Sequence, residues 1–446
     1  MIIKLPDEVQ YIIDTLETAG FEAYAVGGCI RDSLMGKEPH DWDICTSALP
    51  EQTMGCFTGQ NIIETGLKHG TITVILNHKP FEITTYRVDG KYTDNRRPDT
   101  VKFVNVLKRD LARRDFTISA MAYNSKAGIV DYYGGQQDIS ERKIKCVGNP
   151  NKRFQEDALR ILRALRFASV LGFTVEGNTA SAMHDNRKLL NNIAAERITD
   201  ELSKLIIGDN MHELLSAHIS VLTEIIPELE QSIGFEHNNP CHCYDFLTHV
   251  LLSLDAAPKD PAIRLTMLLH DIGKPSCYTE SDDGVGHFHG HSQASSDMAN
   301  EILSRLKYDN DTSKMVTQLI LYHDADIEPI QKHIKRWLNR IGEERLRQLL
   351  MVKRADAMAK SDKHLQSKLD MLDAIPPLID EIIAQQQCFL LKDLAVNGRD
   401  LIEAGVPQGE KIGTILNRLL EMVINEEVEN DKTALIESYY NCCNSS

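Results

Sequence analysis

The stretch Val26-Gly27-Gly28-Cys29-Ile30-Arg31-Asp32, followed ten residues after Arg31 by Asp41-Trp42-Asp43, decides how the first part of the chain is read. Phe21 to Val26 reads as a strand that ends in the two glycines, and Gly28 opens a helix carrying Arg31. Paired glycines let a main chain approach a phosphate chain closely, while a helix N-terminus and an arginine supply positive potential. Asp41 to Cys45 reads as the next strand, on which residues i and i+2 share a face, so Asp41 and Asp43 converge. Two carboxylates this close repel unless a cation lies between them. They suit Mg²⁺, a hard ion that takes one or two carboxylates together with phosphate oxygens. Either half of this pattern alone is common; the two in this order are not.

Working outward, Val9, Ile12, Ile13 and Leu16 fall on one helical face, with Gly20 as a stop, and Thr71–Leu76 and Phe81–Tyr86 read as further strands. Glu82 offers a third carboxylate on the later strand, or is an exposed strand residue. From about residue 151 strand signals almost vanish and helical patterns begin with Leu159, Leu162, Leu165 and Ala168. The expected class is α+β, a small α/β head followed by an extended all-helical remainder. At 446 residues, with 42% hydrophobic and 26% charged residues, the chain has ample material for a soluble core. No apolar run approaches the ~18–20 residues of a membrane-spanning helix. The N-terminus has no signal-like pattern, which points to the cytoplasm and to no membrane partner. Ten scattered cysteines without a CxxC pair read as buried thiols; Cys241-His242-Cys243 is spaced too tightly for the usual zinc chelate.

The net charge of −16 divides unevenly. Residues 1–210 hold 27 basic and 28 acidic side chains, whereas residues 211–446 hold 22 and 37. The whole therefore disfavours broad adhesion to nucleic acid, yet the first half carries a basic track: Arg96-Arg97, Lys108-Arg109, Arg113-Arg114, Lys152-Arg153, then Arg160, Arg163 and Arg166. Lys332 to Arg347 reads as a basic helix in the acidic half, fit for phosphate or for solvent.

Gly27–Asp32 with Asp41-Trp42-Asp43 resembles the nucleotidyltransferase head of the class II CCA-adding tRNA nucleotidyltransferase and bacterial poly(A) polymerase family. Four further stretches agree in order. Tyr86–Gly90 through Asp94–Pro98 is similar to the family's flexible loop, and Arg113–Ile118 to its ribose-selecting segment. Glu156-Asp157-Ala158-Leu159-Arg160 is similar to its EDxxR base-reading helix, and Ala195-Glu196-Arg197-Ile198 to its neck motif. Ser119 departs from the usual Asn. On one helix Asp157 and Arg160 would be neighbours, with Arg163 and Arg166 continuing the stripe. A carboxylate acceptor beside a guanidinium donor fork can read a base edge. The resemblance implies that Asp41 and Asp43 hold Mg²⁺, that Gly28, Arg31 and Arg114 hold the nucleotide, that Arg163 and Arg166 lie near the triphosphate, and that Asp157 with Arg160 selects CTP or ATP for addition to tRNA.

Sixteen histidines are unevenly spread. His249, His270-Asp271, His289, His291, His323 and Asp356 crowd a helical region, and a charged pair ending the apolar run Leu265–Leu269 needs a partner such as a metal. The ordered set resembles the HD metal-dependent phosphohydrolase superfamily. His249, His270, Asp271 and Asp356 match its core motif, and His291 and His323 the extra ligands of two-metal members, with His289 competing with His291. An imidazole-rich set suits Ni²⁺, Mn²⁺ or Co²⁺. Lys274 is placed to meet a phosphate or to cap the turn. Gly398–Leu420 resembles the tail of bacterial CCA-adding enzymes that carry an HD domain. The expected layout is a nucleotidyltransferase head (1–145), helical neck (146–230), HD domain (231–375) and helical tail (376–446). Rivals are an A-adding or poly(A)-adding enzyme, and an HD phosphohydrolase whose head only binds RNA.

Overall fold

The computed structural model describes residues 2–90, 100–236, 238, 244–360 and 365–443, with residues 442 and 443 described by backbone alone. Arg96-Arg97, the Asp94–Pro98 end of the loop and Cys241-His242-Cys243 lie outside the described residues. The chain divides into two compact units, residues 1–230 with 305–308, and residues 231–304 with 309–446.

In the first unit the helix Asp7–Thr18 buries Val9, Ile12, Ile13 and Leu16, the predicted face. Among the described residues up to Asp131 nine strands follow: β1 (Ala23–Val26), β2 (Asp43–Thr46), β3 (Asn61–Ile63), β4 (Thr71–Leu76), β5 (Lys79–Thr85), β6 (Arg87–Asp89), β7 (Val101–Phe103), β8 (Met121–Asn124) and β9 (Gly128–Asp131); the short pair Lys143–Ile144 and Thr174–Val175 comes later. Seven form one sheet in the order β3-β4-β5-β2-β1-β8-β9, and β6 pairs with β7 as a separate ribbon. Within the sheet β2 runs parallel to β5 and antiparallel to β1. Alternation along the strands gives the sheet two apolar faces. One carries Ala23, Ala25, Ile44, Ile72, Val74 and Ile83 against the first helix. The other carries Val26, Cys45, Ala120 and Ala122 beneath Tyr86, Leu107 and Leu111. The predicted strand over residues 41–45 begins two residues late, so Asp41 precedes it.

The expected continuous base-reading helix is two helices, Pro150–Glu156 and Leu159–Leu171. Asp157 lies between them in an extended conformation (φ −140°, ψ 104°), which ends the first helix. The reasoning that made Asp157 and Arg160 helical neighbours therefore fails, although the main-chain N–H of Arg160 still donates to the Asp157 carbonyl at 3.1 Å. The predicted basic helix over 332–347 is likewise split, at Gly342 (φ 79°).

In the second unit the helices Phe246–Ala256, Pro261–Leu269, Asn310–Tyr322 and Glu343–Met358 pack on one another. Their starts are set locally: the side chains of Asp245, Asp260 and Asp309 accept from main-chain N–H groups of the first turn, and Pro261 sits where no N–H is needed. Towards the C-terminus, Leu401, Leu419, Leu420, Val423 and Leu435 make a separate core, with Ile412, Ile415 and Leu416 packed on its edge. Among the described residues no helix is long and apolar enough to cross a membrane.

Candidate functional sites

In the head, strand β1 ends at Gly27, whose φ of +90° strongly favours glycine. A Cβ there would fall 2.9 Å from Nη1 of Arg114, so the missing side chain lets that guanidinium lie against the turn. The helix Gly28–Leu34 follows, and Arg31 pairs through Nε and Nη2 with Asp32 at 2.8 and 2.9 Å. Ile44 of β2 faces Ile83 of β5, so the preceding residues Asp43 and Glu82 project side by side on the opposite face. Asp43 keeps solvent access, yet the protein packed around it disfavours its charge. Asp41 adds like charge, Arg114 pulls the other way and Glu82 adds to the rise, leaving the Asp43 carboxyl at about 6. The structure brings Asp41, Asp43, Glu82 and Arg114 into one neighbourhood, whereas sequence spacing reads only Asp41 and Asp43 as converging and leaves Glu82 open. Three carboxylates against one arginine is a donor set that fits a hard divalent cation.

Gly27→Ala should strain the turn and push Arg114 aside. Loss of one charge-assisted hydrogen bond corresponds to about a tenfold rise in the KM of a bound nucleotide. Equal KM values for wild type and a folded variant would refute the tight approach of Arg114.

The arginines of the Leu159–Leu171 helix are anchored. Arg160 is buried; its Nη1 donates to Glu156 at 3.0 Å and to the Arg153 carbonyl at 3.1 Å, and its Nη2 to the Arg113 carbonyl at 3.1 Å. Asp157 caps the main-chain N–H of Leu159 and meets Arg197 at 3.5 Å. Arg163 binds Asp115 at 2.6 Å and Arg166 binds Glu201 at 2.6 Å. Burial would raise the carboxyl of Asp115, but Arg163 and Arg160 outweigh it and hold the group below its ordinary value.

Sequence reading missed Asp110. Fully buried, its Oδ1 accepts from Nε of Arg113 at 3.0 Å and from the main chain of Arg87 at 3.2 Å, and its carboxylate lies 3.7 Å from Arg114. The signal was available, since an Asp three and four residues before two arginines on a helical turn can reach both.

In the second unit six predicted residues meet. His249 lies on the Phe246–Ala256 helix and Asp356 on the Glu343–Met358 helix. His270 and His323 follow the last turns of their helices, and His291 opens the helix His291–Arg305. Asp271 is placed by Gly273, where a Cβ would fall 2.6 Å from the main-chain nitrogen of Ser295. His249 Nε2 lies 3.3 Å from His270 Nε2, 3.4 Å from Asp271 Oδ2 and 3.2 Å from Asp356 Oδ1. On the other oxygen, Asp271 Oδ1 is 3.3 Å from His323 Nε2 and 3.6 Å from His291 Nε2. Two trios of ligand atoms result, His249-His270-Asp271 and Asp271-His291-His323, with Asp271 in both.

All four imidazoles turn Nδ1 towards a main-chain carbonyl, of Ala359, Met267, Phe288 and Ile320, at 2.7 to 3.1 Å. Such pairing places the proton on Nδ1 and leaves the Nε2 lone pairs aimed inward. Among the described residues, Asp271 Oδ1 and Asp356 Oδ1 are buried and accept no hydrogen bond. Converging lone pairs with orphaned carboxylate oxygens fit metal ions. Burial opposes charge on His270, but Asp271 and Asp356 overcome it and raise that imidazole to about 9, so at neutral pH its Nε2 carries a proton that a bound metal ion would displace. Lys274 holds Asp271 Oδ2 at 2.5 Å, and Lys360, which sequence reading missed, holds Asp356 Oδ2 at 2.6 Å. Both line a cleft of about 320 Å³ with His287, His289, His291 and His323. His289 is exposed, stacked on His287 with centroids 5.7 Å apart, and stands outside both trios. Of the two competing histidines, His291 is the one in a trio whose atoms lie close enough to hold a metal ion.

The chain is similar to known proteins along most of its length. A family model described as the poly A polymerase head domain matches residues 23–145, and one described as a probable RNA and SrmB-binding site of polymerase A matches residues 172–232. A third, a putative tRNA nucleotidyltransferase domain 2, matches residues 288–439. The CCA-adding enzyme of Levilactobacillus brevis is 34% identical across 97% of this chain and 98% of that protein. That of Oceanobacillus iheyensis is 47% identical over 56% of this chain and 63% of that protein. Among solved structures, the Bacillus stearothermophilus CCA-adding enzyme in complex with CTP is 28% identical, with a TM-score of 0.72 covering 99% of this chain and all of that one. With a glycine turn set against Arg114, carboxylates gathered beside it and relatives alike over almost their whole length, the chain belongs to the CCA-adding enzymes, a family of nucleotidyltransferases.

Proposed function

We propose that the head adds C, C and A to the 3′ end of tRNA from CTP and ATP, with Asp41 and Asp43 holding two Mg²⁺ ions and Glu82 as a third carboxylate. The observation that carries this is the gathering of three carboxylates: desolvation first, then the charge of Asp41 and less of Glu82, against the pull of Arg114, leaves the Asp43 carboxyl at about 6, and a divalent cation would relieve the repulsion. Bound there, Mg²⁺ would activate the primer hydroxyl and stabilise the departing pyrophosphate. The chain's own residues do the rest. Gly27 and Gly28 let the main chain approach the triphosphate, while Arg31, Arg114, Arg163 and Arg166 offset its charge. The primer 3′ oxygen attacks the α-phosphorus in line as the bond to pyrophosphate breaks. Asp157 accepts from, and Arg160 donates to, the edge of the incoming base. On tRNA lacking its 3′ CCA, CTP alone should add C residues, ATP alone should add nothing, and the two together should complete CCA. Addition of A by ATP alone would overturn the reading in favour of an A-adding enzyme.

Arg160→Ala removes the donor fork while leaving the phosphate-facing arginines in place. Discrimination of CTP and ATP against GTP and UTP should fall by about ten- to a hundredfold, the worth of a charged hydrogen bond. Selectivity retained by a folded variant would refute base reading by Arg160.

A second reading is favoured by the four inward Nε2 atoms and the shared Asp271 carboxylate. We propose an HD phosphohydrolase centre in residues 231–375, binding two transition-metal ions such as Ni²⁺, Mn²⁺ or Co²⁺ through His249, His270, Asp271 and Asp356 and through Asp271, His291 and His323. On this reading the head spans 1–145, the neck 146–230 and the tail 376–446. Metal analysis of protein loaded with Mn²⁺ tests it: about two ions per chain are expected, and none would sink it.

A further inference from the structure

Three arginines assigned to the triphosphate come from two helices and meet on one side chain. The guanidinium carbons of Arg31, Arg163 and Arg166 lie 5.3, 5.4 and 4.1 Å from the ring centroid of Phe167. The ring is itself buried and fixed by an edge contact with Phe116, centroids 5.7 Å apart at 79°. Three like charges around one point repel, and each is offset by its own carboxylate, Asp32, Asp115 or Glu201. These carboxylates engage the Nε edges of the three guanidiniums. Arg31 meets Asp32 through Nε and Nη2, and Arg166 meets Glu201 through Nε, so the Nη1 end of each takes part in neither bond. An aromatic face attracts a guanidinium without accepting its in-plane N–H groups, so it can hold an arginine while sparing donors for another anion.

We propose that Phe167 is a positioning residue for the nucleotide triphosphate: its ring is the common support that keeps Arg31, Arg163 and Arg166 in one arrangement while leaving donors for phosphate oxygens. This rests on the reading that these arginines hold the triphosphate. Because the triphosphate is common to CTP and ATP, the effect is blind to the base. Sequence periodicity gives Phe167 no mark beyond that of a helix core residue.

The test uses the full chain and steady-state kinetics with CTP on tRNA lacking CCA and with ATP on tRNA lacking only the terminal A. Phe167→Leu should raise the KM of both nucleotides alike, by about tenfold, with kcat changed by less than about threefold. Inhibition by pyrophosphate should weaken by the same factor, and Phe167→Tyr, which keeps the ring, should restore KM to within about twofold. Arg31→Gln is the control for the underlying reading: unchanged KM for both nucleotides in that variant would overturn the triphosphate assignment itself. If Arg31→Gln raises KM but a folded Phe167→Leu does not, the role of Phe167 fails alone. It also fails if the tyrosine does not restore KM, if CTP and ATP respond differently, or if Phe167→Leu and Phe167→Met both lose the folded state, since the ring would then act through core packing.

Discussion

Replacing Asp43 by Asn is expected to lower CMP and AMP incorporation into tRNA lacking CCA by at least about 10³-fold, since metal stabilisation of a phosphoryl transition state is worth several kcal/mol. The same change should not harm the fold. Folding raises the carboxyl of Asp43 from 3.8 to about 6, mainly by burial and by the charge of Asp41, so the ionised group opposes folding. That penalty is absent below the unfolded value, grows between the two and is full above about 6. In a chelating buffer, Asp43→Asn should therefore melt at or above the wild-type temperature at pH 8, and the difference should vanish near pH 4. Incorporation within tenfold of wild type in Mg²⁺ would end the assignment of Asp43; a lower melting point at pH 8 would mean that the carboxylate is a structural partner.

His270→Ala is expected to abolish hydrolysis of a phosphomonoester or a 2′,3′-cyclic phosphate while leaving CCA addition within about twofold. The head carboxylates and the imidazole centre belong to different compact units and share no residue. The imidazole is fully buried between Asp271 and Asp356, so its removal leaves two acidic groups short of a partner at a cost of about 1–3 kcal/mol or more. A melt must accompany the assay, and Asp271→Asn, nearly the same shape, supplies a second variant. A folded His270→Ala protein that lost CMP and AMP incorporation would show the centres to be coupled. Wild type that hydrolysed neither ester with Ni²⁺, Mn²⁺ or Co²⁺ would make the cluster structural.

The His270-Asp271 pair was legible in sequence because it ends the apolar run Leu265–Leu269, where polar residues have few other reasons to be; the rest of the set was read from its order along the chain and from a resemblance. Thr71–Leu76 was legible from its β-branched residues, and in the structure half-buried and buried residues alternate along it. Strand β8 was not, because all four of its residues are buried and no alternation marks them. The break at Asp157 escaped for want of a proline or glycine: the residues on both sides favour helix, and the stop comes from tertiary contacts. Glu201 was invisible for another reason: it reaches Arg166 from a distant helix, and no periodicity reports which of many acids will do so. Asp110 and Lys360 stand at helical spacing from Arg113, Arg114 and Asp356, so their signal was there and was passed over.

The anchoring of Arg160 has a bearing on tolerance to mutation. Two of its acceptors are main-chain carbonyls, those of Arg153 and Arg113. A carbonyl is supplied by whatever amino acid occupies the position, so drift at 113 or 153 leaves these two acceptors in place as long as the backbone keeps its course. Glu156 is the exception, since its contribution comes from a side chain. The orientation of this guanidinium is therefore inherited largely through chain path, and substitutions that bend the segment at 157 should disturb it more than most exchanges of its neighbours.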